Sequence, residues 1–399
     1  MTLASSLGVG LEPTMAALRE QRSGLRRCDF ETVTLDTWIG PVDETEQVRL
    51  PPALAAYDCR NNRLAQLALQ SDGFDEAVAD LKARYGASRI GVFVGTSTSG
   101  ILQSEIAYRH RDGQGRLPTG FNYAGTHNTF SAADFTRRLL GLGGPAVAVS
   151  AACASSAKVF GNAARMIAGG LIDAAVVGGV DSLCLTTLYG FNSLELVSSD
   201  VCRPFDADRR GLSIGEAAGF AILERHAADG DPEAILLAGI GESSDAHHMS
   251  APHPQGAGAR AAMEQALQSA ALEPGHIDYI NLHGTGTPGN DAAEDQAVFG
   301  VFGSAVPASS TKGATGHTLG AAGILEAIVA ALAIRHGLAP GGINTSRPDP
   351  TLRTRYLRSN VARRIDFALS NSFGFGGANC SLILGRAGAL AAAAREARS

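Results

Sequence analysis

PAVAVSAACASSAKVFGNAARMIAGG, Pro145 to Gly170, is the stretch on which the fold turns. Its apolar opening, Pro145–Val149, reads as a strand. Small residues follow, and from Ala154 to Ile167 the apolar positions take helical spacing. A strand running straight into a helix is the building unit of α/β folds. The turn between them carries Cys153. A thiol in the first turn of a helix meets the positive end of the macrodipole and unpaired backbone N–H groups, which favour the nucleophilic thiolate. Ala151, Ala152 and Ala154 leave room beside the sulfur for an acyl chain. A lone cysteine in such a turn is as readily a buried structural residue, so the rest of the chain has to discriminate.

Composition narrows the classes. At 399 residues, 45% hydrophobic and 18% charged, the chain can bury a large core and has the length of two or three domain-sized units. A net charge of −6 argues against nucleic-acid binding, which needs basic stripes to neutralise phosphates. No stretch reads as a membrane span of roughly 18 apolar residues. MTLASSLGVGLEPTM lacks the basic and apolar regions of a secretory signal. Six cysteines without paired spacing form neither a disulfide framework nor a zinc motif. The expectation is a cytoplasmic protein without a metal.

The 48 glycines cluster at the ends of strand-like runs: RIGVFVGTSTSG, AAVVGGVDSL, AAGFAILER, IDYINLHGTGTPGND and IDFALSNSFGFGGANCSLIL. Helical patterns alternate with them at Leu64–Leu69, Ala133–Leu140, Ala154–Ile167, Ala259–Ala271, Ala292–Phe299 and Ala321–His336. The alternation predicts sheets buried between helices, with functional loops at strand ends. A break near Asp229–Glu233 divides the chain into a half over 1–230, a half over 231–386 and an Ala-rich tail over 387–399, frayed or disordered.

Three further segments carry chemistry. NLHGTGTPGNDAAED (Asn281–Asp295) contains GxGxxG between a strand and a helix. A dinucleotide site is rejected: Pro288 removes an N–H from the turn, and about 20 residues on, where an acid should meet a ribose, the chain reads SSTK. The segment instead presents His283 at a strand end, with the Thr285 and Thr287 hydroxyls beside it. In SSTKGATGHTLGAAGILEAI (Ser309–Ile328), Lys312 and His317 flank a Gly-rich turn opening a helix that carries Glu326. The spacing is not that of a phosphate-binding loop. In NSFGFGGANCSLIL (Asn371–Leu384), Phe373 and Phe375 alternate with glycines that let a backbone N–H approach a substrate oxygen closely. Alone, that alternation also fits a bulged strand.

Together these segments resemble the condensing enzymes, specifically β-ketoacyl-(acyl carrier protein) synthases of the elongating Cys-His-His type. The resemblance runs in order through AACASS, RPFDADRRGLSIGEAAG, SSDAHHMSAPHPQGAG, HGTGTPGND, TKGATGHTLGAAG and NSFGFGGAN. It implies a thiolase-like fold of two similar α/β halves in five αβαβα layers. It also implies that Cys153 takes an acyl group from a carrier protein, while His283 and His317 stabilise the enolate formed when a malonyl group loses carbon dioxide. Lys312 becomes a charge near His317, paired with supporting Glu326. The backbone N–H groups of Cys153 and Phe375 form the oxyanion hole. Thr285 and Thr287 meet the pantetheine arm, and Phe373 and Phe375 contact substrate, Phe375 as a gate. The resemblance implies no cofactor of the protein's own, since the phosphopantetheine belongs to the acyl carrier protein. It implies a homodimer, or a heterodimer with a related subunit.

Departures from the family pattern are specific. Only MTLA precedes Ser5, so the opening edge strand is short or begins upstream. The stretch between Leu194 and Arg203 is short, and Arg210 stands where an acid is common, which points toward a secondary-metabolic or polyene-type synthase. Docking an acidic carrier to a net-negative chain needs a local basic patch. Arg60 and Arg63, one helical turn apart, and Arg210 are the candidates, whereas Arg203 and Arg209 read as structural. His247, His248 and His253 read as a loop beside the site. Rival readings remain. A thiolase would use Cys380 as a second cysteine, a chain-length partner would lack the nucleophile, and a starter-unit synthase on acyl-coenzyme A would place Asn where His317 stands.

Overall fold

The computed structural model describes residues 1–227 and 230–396. Six strands form one sheet: β1 (Thr2–Ser5), β2 (Gly8–Val9), β3 (Ile90–Gly95), β4 (Ala146–Val149), β5 (Ala174–Asp181) and β6 (Ala217–Glu224), in the order β2-β1-β6-β5-β3-β4. A second sheet holds β7 (Ile235–Ser244), β8 (Tyr279–Asn281), β9 (Ala308–Ser309), β10 (Phe367–Gly374) and β11 (Ala378–Arg386), in the order β7-β11-β10-β8-β9. Apart from β2, which has no counterpart, the halves repeat one another strand for strand. β1–β6 and β6–β5 are antiparallel, then β5–β3 and β3–β4 parallel. Likewise β7–β11 and β11–β10 are antiparallel, then β10–β8 and β8–β9 parallel. Parallel strands need both faces covered, and the apolar side chains show how.

Three apolar clusters alternate with the two sheets. Outside the first sheet, Leu64 and Ala68 of α1 (Arg60–Leu69) and Ala132 and Phe135 of α2 (Phe130–Leu139) pack on Val92, Val94 and Val176. Between the sheets, α3 (Ser155–Ala168) and an apolar helix over Ala322–His336 bring Ala157, Phe160, Ile324 and Ile328 against Phe93 and Val177 on one side and Ala368 and Leu382 on the other. Outside the second sheet, Met263 of α4 (Ala257–Ala270) and Val298 of α5 (Pro288–Phe302) cover Leu369 and Ile383. The period-two alternation of strands sends Phe93 inward and Val92 and Val94 outward. The result is the five-layered αβαβα arrangement of the thiolase-like fold.

The Ala322–His336 helix, α6, is buried at every residue from Ala322 to Ile334. With the preceding turn it forms the one run among the described residues long and apolar enough to cross a membrane, and it lies 89% buried inside the fold. This departs from the expectation that no stretch approaches such a length; the run carries Glu326 and Arg335 and is a core helix of the fold.

The short opening forms a strand. Thr2–Ser5 is fully buried and pairs with Ala217–Phe220. Ala387–Glu396 of the tail forms a helix, α7, that seats Ala387 and Ala393 against the body instead of fraying; residues 397–399 lie outside the described residues. Asp229, at the break between the halves, lies outside them too.

Candidate active site

The nucleophile turn joins β4 to α3. The backbone reverses at Ala152, whose φ of +48° is left-handed and unusual for a residue with a Cβ. Ser155 braces the turn: its Oγ accepts from Ala151 N at 2.9 Å and donates to Ala152 O at 2.5 Å. Cys153 sits inside this brace, 5% exposed. Gly374 lies against it so closely that a Cβ there would come 2.9 Å from Ala151 O and 3.0 Å from Cys153 N.

The second half supplies the imidazoles. His283 follows β8, its loop pinned by Glu294 of α5, which accepts from His283 N at 2.8 Å and Gly284 N at 2.7 Å. His317 follows β9, and its N donates to Ser213 O at 2.7 Å. Its Nδ1 accepts from Leu319 N at 3.3 Å, and its Nε2 lies 3.0 Å from Cys153 Sγ. The two rings are 5.3 Å apart and nearly perpendicular, at 85°. Buried Lys312 forms an ion pair with Glu326, donates to His283 O at 2.5 Å and approaches His283 Nδ1 at 3.3 Å. Lys312 therefore serves His283 directly. Its charge acts on His317 as well, as the resemblance implies.

These contacts fix the protonation of both rings. Burial and the Lys312 charge hold the histidines well below the ordinary imidazole range, with His317 adding to the effect on His283. Both are neutral. Each Nδ1 faces a donor, Leu319 N–H or the Lys312 ammonium, so each Nε2 carries the hydrogen. The thiol behaves differently from the sequence expectation. Burial pushes Cys153 up to about 12, with the Lys312 charge and a hydrogen bond from the Phe375 backbone pulling it down. Burial outweighs both, which favours the thiol over the thiolate. Burial also raises Glu326 and Glu294 to about 7, against the pull of Lys312 on the first and of the Gly284 and His283 N–H groups on the second.

Cys153, His283 and His317 line a cavity of about 170 Å³ together with Thr285, Thr287, Phe373 and Phe375. The two threonine hydroxyls lie 2.9 Å apart, and Thr287 precedes the Pro288 that opens α5. Phe373 packs on His283 at 5.9 Å between ring centroids. The Phe375 ring stacks on Phe191 at 5.2 Å, and Phe191 meets His317 edge-on at 6.4 Å. Asp245, Ser250, Ala251 and Pro252 line the same cavity, which puts the His247–His253 loop beside the site.

One cysteine and two histidine ligand atoms within 4.8 Å of one another make a donor set with the composition of a zinc site. The ring lone pairs disagree. They sit on the two Nδ1 atoms, already engaged by Leu319 and Lys312, so the Nε2 atoms offer N–H groups and not ligands. The set suits an anion or a developing oxyanion.

The basic candidates separate. Arg60 is withdrawn from any docking role: its side chain is 8% exposed and is held by Glu216 and Glu46. Arg63 is tied to Asp58 by bonds of 2.6 and 2.7 Å, whereas Arg210 is exposed. Arg209 is buried on Asp349 and Asp291. Cys380 lies buried within β11 and does not line the cavity. Sequence reasoning did not single out Phe191, Glu294 or Asp181. Glu294 was within reach, as an acid inside the first turns of the helix that follows the His283 loop.

Comparison with known proteins agrees with this geometry. Residues 59–228 match the N-terminal domain of β-ketoacyl synthases, and residues 235–346 match the C-terminal domain. The chain is 33% identical to 3-oxoacyl-[acyl-carrier-protein] synthase 2 of Vibrio cholerae, covering 97% of both chains. It is 37% identical to the protein of that name in Rhizobium meliloti, over 89% of this chain and 85% of the other. Among solved structures, the ketosynthase ApeO in complex with its chain length factor ApeC, from Xenorhabdus doucetiae, superposes with a TM-score of 0.87 at 38% identity, over 96% of each chain. The ishigamide ketosynthase/chain length factor gives 0.85 at 28% identity, over 96% of this chain and 97% of that one. The chain therefore belongs to the β-ketoacyl synthase family, and it is an acyltransferase.

Proposed function

We propose that this acyltransferase extends an acyl chain by decarboxylative Claisen condensation in fatty-acid, polyketide or polyene assembly, with both substrates delivered on acyl carrier protein. The observation that carries the reading is the pair of neutral imidazoles whose Nε2–H groups converge on the cavity around Cys153. Cys153 Sγ attacks the thioester of the acyl carrier. Its proton leaves with the pantetheine thiol, and the acyl group stays on the sulfur. Malonyl carrier protein then enters. As the carboxylate departs as carbon dioxide, its electron pair moves into the thioester, and the oxygen takes the charge between His283 and His317. The enolate carbon attacks the acyl-Cys153 carbonyl, whose oxyanion falls to the backbone N–H groups of Cys153 and Phe375. Collapse expels the Cys153 thiolate and frees the β-ketoacyl carrier. Lys312 holds His283 in the donating tautomer, and Glu326 balances the lysine charge. Thr285 and Thr287 receive the pantetheine arm. The reaction needs no cofactor of the protein's own.

The working unit we propose is a heterodimer with a related, chain-length-factor-like subunit, with a homodimer as the alternative. The complexes named for the similar solved structures support the former. Arg63 and Arg210 are the docking cations for the carrier, and the cytoplasm is the compartment. The test is intact-protein mass spectrometry after mixing with a panel of acyl carrier proteins, with Cys153→Ala as control. Acyl adducts are expected on the wild type alone, and their ranking reports the preferred chain. Equal loading of the variant would remove Cys153 from its role. Loading only after addition of the partner subunit would establish the heterodimer. Retained acyl transfer with lost decarboxylation in His317→Asn separates this reading from a starter-unit synthase.

A further inference from the structure

Both turns that carry the reacting side chains are strained in the same way. Ala152, just before Cys153, has φ +48°, and Leu319, two residues after His317, has φ +55°. Neither is glycine, and such conformations persist only where the surroundings hold them. Besides Ser155, which braces the first turn from α3, one side chain connects to both, directly to the second and through Ser97 to the first. Asp181 ends β5, is 0% exposed, and lines neither the cavity nor any ion pair among the described residues.

Its Oδ1 accepts from Thr96 Oγ1 at 2.7 Å, Thr98 N at 2.8 Å, Thr98 Oγ1 at 2.8 Å and Ser97 N at 2.9 Å. Its Oδ2 accepts from Ser97 N at 3.0 Å and from Gly320 N at 2.5 Å. Ser97, fixed in this way, donates its Oγ to Ala152 O at 3.2 Å. Gly320 is the residue after strained Leu319, whose own N–H fixes the His317 tautomer. The approach is tight: a Cβ on Gly320 would lie 2.7 Å from both Asp181 Oδ2 and Ser97 Oγ. The carboxylate thus holds one loop of the first half, which props the Cys153 turn, and directly grips the His317 turn of the second.

We infer that Asp181 is a positioning residue that sets Cys153 and His317 in register by clamping the two strained turns, one from each half, through a single carboxylate. The inference rests on the condensing role proposed for those two residues. It assigns Asp181 no contact with substrate.

Asp181→Asn separates the clamp from the fold. The amide keeps an acceptor for Thr96 and Thr98 but turns an N–H₂ toward Gly320 N–H and Ser97 N–H. Condensation is expected to fall at least about 30-fold in kcat, with KM for the carrier substrates within about twofold, since a misplacement near 1 Å costs rates of this order. Alkylation of Cys153 by iodoacetamide gives an independent readout. The Asp181 charge is among the influences that raise the thiol, so its removal moves the alkylation midpoint to lower pH while turnover drops. A wild-type kcat, or a loss matching the unfolded fraction by circular dichroism with an unmoved midpoint, would overturn the clamp.

Ser97→Ala leaves every bond to Asp181 intact and removes only the Ser97 hydroxyl from Ala152 O, which keeps its bonds from Ser155. Acyl loading should slow about fivefold, the value of one modest hydrogen bond, while malonyl decarboxylation stays within about twofold. Equal effects on both steps, or none, would overturn the clamp even if Asp181→Asn fails to fold. Wild-type loading is the shared control. Its failure removes the condensing reading, whereas normal loading with unaffected variants removes only Asp181.

Discussion

The two halves share the order and the senses of five strands, yet they do different chemistry. In the first, β4 passes to α3 through the brief turn Ser150–Ala154, with room for one functional side chain, Cys153. In the second, the longer stretch Ser310–Ala321 between β9 and α6 carries both Lys312 and His317. The loops after β3 and β8 diverge likewise. Thr96–Thr98 wraps a buried aspartate, while His283–Thr287 presents an imidazole and two hydroxyls. The strands are conservative and the connections inventive, as expected where function sits at the carboxyl ends of parallel strands. The central helices differ too. α3 reaches out through Lys158 and Arg165 to Glu242, whereas α6 is buried from Ala322 to Ile334 with Glu326 its one charged side chain in that span.

The comparison breaks most readily at Lys312. Lys312→Ala leaves Glu326 buried without its partner, and breaking such a pair costs about 3–5 kcal/mol. Chemical denaturation should show that loss at pH 8. At pH 5 it should be smaller, because Glu326, already raised to about 7 and now without the lysine pulling it down, takes a proton. Decarboxylation should fall with it, since His283 loses the donor that fixes its tautomer. An equal stability loss at both pH values would contradict this account.

Contact between the halves is probed next by Gly374→Ala, whose Cβ would press on Ala151 O and Cys153 N. Overpacking of this kind costs about 1–3 kcal/mol. Acyl loading of Cys153 should drop about tenfold or more, read by mass spectrometry, while the histidines stay in place. Unchanged loading would mean that the nucleophile turn tolerates displacement.

The smallest effect is expected at Glu294, which belongs to the second half alone. Its folded value of about 7 lies above the ordinary carboxyl range, so its contribution to stability is full below about pH 4.5 and is lost as pH rises through about 7. Glu294→Gln should flatten that part of the stability profile at a cost of about 1 kcal/mol in hydrogen bonding. A slope that survives the substitution would assign it to another group.

Much of this was legible because local pattern and global fold agree. The apolar run to Val149 and the helical spacing after Ala154 put Cys153 at a strand–helix turn, which is where it lies. What eluded the sequence were partnerships across long separations. Arg60 looked like an exposed docking cation until Glu216, far along the chain, buried it. Asp181 drew no attention, since its donors lie in the Thr96–Thr98 loop and at Gly320. The resemblance puts the Lys312 charge near His317, and its direct contact with His283 is what the sequence does not show. The Ala-rich tail reads as weakly ordered until Ala387 and Ala393 find cover. In each case the deciding contact is tertiary, and composition carries no trace of it.

The α6 helix, buried all round from Ala322 to Ile334, bears on how this chain comes to exist as a folded object. It contributes side chains to a layer that both sheets need, so neither half owns a finished interior. A fragment ending at the seam would expose the inner face of the first sheet to water, and its complement would expose α6 itself. The apparent duplication therefore shares one interior, and a truncation that removes either half is expected to leave the other with an uncovered apolar face.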